Sequence, residues 1–260
     1  WRVCGPEEMR RAVRMFIKFG VDLIKLNLSG EEITPVPAQT TPMSDEEVAM
    51  AMKEIKPYGI RACAHARSAD SVRQCIKHGV QIIYHASYAD EECMDLLEAR
   101  KDEVFVGPGL AWLIKTARDA APWGIAPNSP LAQLYERELE FAVKGMQEMR
   151  KRGIRIVPGG DYGFAWTPHG TNATDLQYFV DMIGMSPMEA LMSATKLGGE
   201  IMGMPDELGL VREGFLADIL LVDGDPLKDI AVLQDQSKLQ VIMKDGGLYK
   251  NTAKILGALP

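Results

Sequence analysis

Residues 59–85 read GIRACAHARSADSVRQCIKHGVQIIYH. Gly59 leads into a short apolar run, Ile60 to His65; residues 70 to 78 carry helical signals and stop at Gly79; residues 80 to 85 form a second run that again ends on histidine. A strand, a helix and a strand in so short a span predict two parallel strands joined by a crossover helix. In parallel α/β barrels the strand C-termini gather on one face, which hosts the active site. His65 and His85 are therefore expected to converge there.

The same grammar extends in both directions. Upstream, Pro6, Glu7 and Glu8 open a helix that Gly20 ends, and a strand follows at about residues 21 to 27. Ser44 with Glu47 makes a capping box for a helix running to about Lys56. Downstream, a helix is predicted over residues 90–100, a strand from Val104 to Val106, a helix over about 129–152 and a strand from Ile154 to Val157. Residues 107–128 are rich in Pro, Gly and Trp and read as a long loop, a candidate lid. Ser186, Pro187 and Glu189 start another helix, ending near Gly198 and Gly199. Beyond about residue 208, short strands alternate with turns such as Asp223-Gly224-Asp225-Pro226. The prediction is α/β: a barrel portion over residues 1–207 and part of a small β subdomain over 208–260.

Composition narrows the function classes. With 47% hydrophobic and 25% charged residues, the chain has material for a sizeable core. Its 29 Lys and Arg against 36 Asp and Glu leave a net charge of −7, with no basic run, so no nucleic-acid partner is expected. No apolar stretch has the roughly 18 to 20 residues of a membrane span, so no membrane partner is expected. Cys4, Cys63, Cys75 and Cys93 form no CxxC pair and read as reduced thiols, which favours an intracellular location.

Lys25 is the unusual residue. In Asp22-Leu23-Ile24-Lys25-Leu26-Asn27 the two-residue period puts Ile24 and Leu26 on one face and Lys25 on the other, pointing into the barrel. A buried ammonium must be paired, deprotonated or chemically altered. Asp161 follows Pro158-Gly159-Gly160, whose glycines leave room beside a carboxylate. Imidazole and carboxylate ligands suit zinc and related divalent ions, which activate a bound water and polarise a carbonyl. Lys25, His65, His85 and Asp161 together point to metal-assisted hydrolysis. His78, in the last turn of its helix, needs no function beyond its favourable place there.

These stretches resemble the amidohydrolase superfamily, in the group of imidazolonepropionase-like and prolidase-like amidases. They are Val21 to Leu26 with Ser29-Gly30, Ala62-Cys63-Ala64-His65-Ala66, Ile83-Tyr84-His85 and Gly159-Gly160-Asp161, and the tail Gly209 to Asp218 is similar to the family's C-terminal signature. The resemblance implies a (β/α)8 TIM-type barrel with two divalent ions, zinc first among them, and carbon dioxide bound as a carbamate on Lys25 that bridges both. His65 and His85 would hold one metal, and Asp161 the other while acting as general base. The family's His-x-His pair occurs nowhere in this sequence. The five predicted strands therefore map to family strands four to eight, and the chain is expected to lack the portion before them.

The implied activity is cleavage of an amide bond to a C-terminal amino acid, in dipeptides or N-acyl amino acids including ochratoxin-like conjugates. Ring opening or deamination of a small heterocycle is the second reading, and a non-catalytic barrel scaffold the third. Partners implied are a small-molecule or dipeptide-like substrate and further copies of the chain in a homo-oligomer. Tyr88, Tyr162 and His169, the last in Pro168-His169-Gly170, are candidate substrate contacts, and Trp112, Phe164 and Trp166 read as core aromatics or a pocket wall.

Overall fold

The predicted alternation is realised in the computed structural model, which describes residues 3–253. Trp1, Arg2 and residues 254–260, the end of the expected β subdomain, lie outside the described residues. The chain divides into two compact units, one reaching to Thr167 and one starting at Pro168. This differs from a division at residue 207, because the helices over residues 174–201 group with the β-rich tail.

The first unit is a β/α succession. Helix α1 (Pro6–Lys18) leads to β1 (Leu23–Asn27), α2 (Asp45–Ile55) to β2 (Arg61–Ala66), and α3 (Ala69–His78) to β3 (Ile82–His85). Then follow α4 (Glu91–Ala99), β4 (Phe105–Gly107), α5 (Leu110–Arg118), α6 (Pro130–Lys151) and β5 (Arg155–Ile156). The strands form one sheet in the order β1-β2-β3-β4-β5, every neighbouring pair parallel. All five C-terminal ends therefore lie along the same edge. Val48, Ala51 and Ile55 from α2, Val72 and Ile76 from α3, Leu97 from α4 and Met146 and Met149 from α6 are buried with Ile24, Leu26, Ile83 and Val106 of the strands.

Local signals act as expected. The Ser44 hydroxyl accepts from the Glu47 N–H while the Glu47 carboxylate accepts from the Ser44 N–H, closing the capping box. Gly79 ends α3 at φ 78, the left-handed region open to glycine. His78 Nε2 lies 2.8 Å from Asp45 Oδ1, tying α3 to the start of α2 in a structural role.

The expected loop over 107–128 is corrected. It contains α5, with Leu110, Ala111, Trp112, Leu113 and Ile114 all buried. Pro108-Gly109 and Pro122-Trp123-Gly124 at its borders look like loop chemistry. The helix between them is only nine residues long, and those flanking turn residues mask it. A segment buried in this way is core and not a lid.

The second unit, described by itself, contains α7 (Thr174–Tyr178), continued as a wider helical turn to Ile183, then α8 (Pro187–Ala194) and α9 (Lys196–Ile201). Strands β6 (Ile219–Val222), β7 (Leu239–Lys244) and β8 (Gly247–Asn251) form an antiparallel sheet in that order. Among the described residues, no helix is long and apolar enough to cross a membrane.

Candidate metal centre

The C-terminal edge of the parallel sheet collects the chemistry. The register pairs His65 with Tyr84 and Ala66 with His85. Straight strands would therefore send the two histidines to opposite faces. Instead His85 takes φ 78 and Ala86 φ 50, and the His65 and His85 rings meet edge to face with centroids 4.6 Å apart. Asp161 also has a positive φ, 54°, and its Oδ2 lies 3.6 Å from His85 Nε2. Non-glycine residues in left-handed conformations cost energy and concentrate at functional sites.

The histidine nitrogens are assigned by their surroundings. His65 Nε2 is 2.9 Å from the Gly30 carbonyl, which only accepts, so Nε2 carries the proton and Nδ1 keeps its lone pair. His85 is 1% exposed, and its Nδ1 has no hydrogen-bond partner. A Cβ placed on Gly109 would come 2.9 Å from that Nδ1, so the glycine lets the backbone pass against the ring.

Electrostatics keeps both rings neutral. Burial, then the Arg67 charge, holds the His65 imidazole down at about 4, and the same causes push His85 well below the ordinary histidine value. Neutral imidazole is the form that binds a metal. Burial pushes the half-buried Asp161 carboxyl up, with Arg67 and Lys25 pulling it back.

These shifts make acid sensitivity a direct expectation. An unfolded histidine titrates near 6.5, so below that pH the unfolded chain binds protons that the folded rings refuse. Their contribution is complete above pH 6.5 and is lost as pH falls toward about 4. For His65 alone the loss is about 3 kcal/mol. Urea denaturation of the metal-free protein from pH 7 to 4 should show a steeper fall than for a His65→Asn variant; parallel curves would contradict it.

Lys25 requires a correction. Its neighbours Ile24 and Leu26 are buried and Lys25 and Asn27 are exposed, so the two faces separate as expected, but the ammonium is not buried. Among the described residues, β1 pairs with β2. Lys25 pairs in register with Cys63, and its Nζ stands 5.2 Å from the centre of the Tyr84 ring. Tyr88 is half-buried, its ring 5.4 Å from that of Phe141, and Tyr162 is half-buried beside Asp161. His169 is exposed in the second unit.

A buried network at the same edge was not anticipated. Arg67 is fully buried and pairs with both Glu31 and Glu138, the latter also fully buried on α6. The Tyr135 hydroxyl donates to Glu31 at 2.8 Å, and the Ser87 hydroxyl to Glu138 at 2.7 Å. Burial pushes the Glu138 carboxyl up, against the pull of Arg67 and Ser87. Trp112, Phe164 and Trp166 form an aromatic cluster, with Trp112 buried and Phe164 46% exposed. The cluster thus serves both as core and as surface.

The donor set fits a divalent ion. His85 Nε2 stands 3.6 Å from Asp161 Oδ2 and the His65 and His85 rings meet with centroids 4.6 Å apart, so nitrogen and oxygen donors of the kind zinc takes lie side by side. Among the described residues, no three His, Cys, Asp or Glu side chains are gathered in a group that could hold a metal ion. The arrangement is an open one of His65, His85 and Asp161, with Lys25 on the adjoining strand.

Comparison with known proteins adds to this geometry. The sequence profile described as "Amidohydrolase family" matches residues 6–248. Ochratoxinase of Aspergillus niger is 31% identical over 260 aligned positions, covering 95% of this chain and 50% of that protein. A Xaa-Pro dipeptidase crystallised with methionine in its active site superposes with a TM-score of 0.84 at 30% identity, over 96% of this chain and 59% of its own. A prolidase complexed with N-methylphosphonate-L-proline gives 0.85 at 26% identity, over 96% and 60%. The chain thus spans about half the length of the curated relatives it matches. These structural neighbours are of TIM-barrel type, and the parallel sheet with its helices is α/β of that kind, followed by an additional antiparallel sheet.

Proposed function

Because the chain belongs to the amidohydrolase family, we propose that it carries half of the active site of a metal-dependent hydrolase that cleaves an amide bond to a C-terminal amino acid. Dipeptides and N-acyl amino acids are the substrate class. The observation that carries this is the meeting of His65, His85 and Asp161 at the C-terminal edge of a parallel sheet. The similarity to ochratoxinase and to prolidases supports the choice of bond.

His65 through Nδ1 and His85 through Nε2 would hold a divalent ion, zinc first among the candidates. Such an ion supplies an activated water at neutral pH and polarises the scissile carbonyl. Lys25, on the strand next to His65, is proposed to lose one proton to become a free amine at Nζ, which then adds carbon dioxide with loss of a second proton, so that a cation becomes an anionic oxygen donor. Its charge already bears on His65, His85 and Asp161. Asp161 has a raised, partly exposed carboxyl suited to accept a proton from the attacking water and return it to the leaving amine. Tyr88 and Tyr162 are proposed as substrate contacts.

The test uses the natural protein containing this chain, treated with chelator and then restored with zinc. A panel of N-acyl amino acids and Xaa-Pro dipeptides should yield free C-terminal amino acid only in the restored sample. Release from no member of the panel would overturn the proposal.

A further inference from the structure

His65 and His85 are followed, two residues on in each case, by a side chain that reaches the same atom. Arg67 Nη1 and the Ser87 hydroxyl both donate to Glu138 Oε1. Glu138 lies in the middle of α6 with its side chain fully buried, and Arg67 is fully buried as well.

The rest of the network gathers the neighbouring loops. The other arm of Arg67 pairs with Glu31, in the loop after β1. Glu31 accepts from Tyr135, which stands one helical turn before Glu138 on the same face of α6. The Arg67 N–H donates to the Ser29 hydroxyl at 2.8 Å, and its carbonyl accepts from the Tyr88 N–H at 2.9 Å. Between Ser29 and Glu31 lies Gly30, whose carbonyl orients His65. Two turns of α6 thus pin the loops after β1, β2 and β3.

Stability alone is a poor reason for such a device. Well-packed apolar side chains of similar volume often serve as well as a buried ion pair or better. This one also leaves Arg67 Nε and Glu138 Oε2 buried without hydrogen-bond partners. What an apolar substitute lacks is directionality: hydrogen bonds fix where the residues after each histidine lie.

The geometry points to Glu138 as a positioning residue, with Arg67 and Ser87 as its two arms, that sets the His65 and His85 rings at the mutual placement one divalent ion requires. This rests on the metal-centre reading above, but the placement of the rings is measurable without any metal.

The experiment uses the full chain and three variants. Ser87→Ala removes one arm, Glu138→Gln keeps an acceptor oxygen for both arms, and Ser193→Ala removes a buried serine hydroxyl in the other unit as a control. Circular dichroism and urea midpoints establish that each is folded. Zinc affinity is read by chelator competition, and the His65 and His85 ring nitrogens by NMR in metal-free protein. Ser87→Ala should lose zinc affinity by about 10- to 100-fold and shift both sets of ring signals. Glu138→Gln should lose less, and Ser193→Ala should stay within about threefold. Unchanged ring signals in Ser87→Ala, or an equal loss of affinity in Ser193→Ala, would overturn the proposal. If the unaltered chain takes up no zinc, the metal reading falls, and the ring signals still decide whether Glu138 positions the histidines.

Discussion

Replacing Asp161 by asparagine in the zinc-loaded natural protein is expected to lower kcat by about 10³-fold on its amide substrate. Asparagine keeps the size and one acceptor oxygen but cannot take up the proton of an attacking water. The Asp161 carboxyl, pushed up by burial yet still 35% exposed, is suited to proton transfer. Its φ of 54° is within reach of asparagine, which adopts the left-handed region more readily than most residues, so the fold should persist. Steady-state kinetics at saturating zinc checks this, with KM changing by only a few-fold. A fall in kcat of less than about tenfold would remove Asp161 from the proton-transfer role.

Gly30→Ala is expected to have the largest effect on the fold and to damage the site at the same time. A Cβ at Gly30 would lie 2.2 Å from the Val36 carbonyl oxygen and 2.3 Å from that of Pro37. Both are backbone atoms, so the loop itself must move. The cost is about 3 kcal/mol, at the upper end for overpacking a tight site. Because the Gly30 carbonyl accepts from His65 Nε2, displacing it also releases the ring. The urea midpoint should fall, and the fraction that stays folded should bind zinc about tenfold more weakly. A variant with unchanged stability would show that the loop after β1 is looser than its contacts indicate.

Much of this was legible in the sequence because the signals were local. The capping boxes at Ser44 and Ser186 formed as their residues predict. Gly20 and Gly79 follow the helices they were expected to end, and the five short apolar runs became parallel strands. The placement of His65 and His85 at neighbouring strand ends followed from the parallel topology. Other features depend on tertiary context. Helix α5 was hidden because the Pro and Gly on either side of its nine residues read as loop. The exposure of Lys25 depends on its neighbours in space, which the run Asp22 to Asn27 does not encode.

The Arg67 network was the largest omission. Glu138 falls in the stripe of α6 that also buries Tyr135, Leu139, Ala142 and Met146. A carboxylate inside an apolar stripe is a visible anomaly and predicts a buried partner. Which cation answers it, from a strand end some seventy residues earlier, follows from the fold alone. The left-handed turn at His85 is similar. Nothing in Tyr84-His85-Ala86 marks a positive φ, yet that turn accompanies the meeting of the two rings.

Sharing of one divalent ion by His65 and His85 can be seen in an anomalous-scattering map of zinc-soaked crystals. A zinc peak is expected at about 2.0 to 2.1 Å from His65 Nδ1 and from His85 Nε2, with the Gly30 carbonyl still on His65 Nε2. A fully occupied zinc elsewhere, with neither histidine ring in contact, would contradict it.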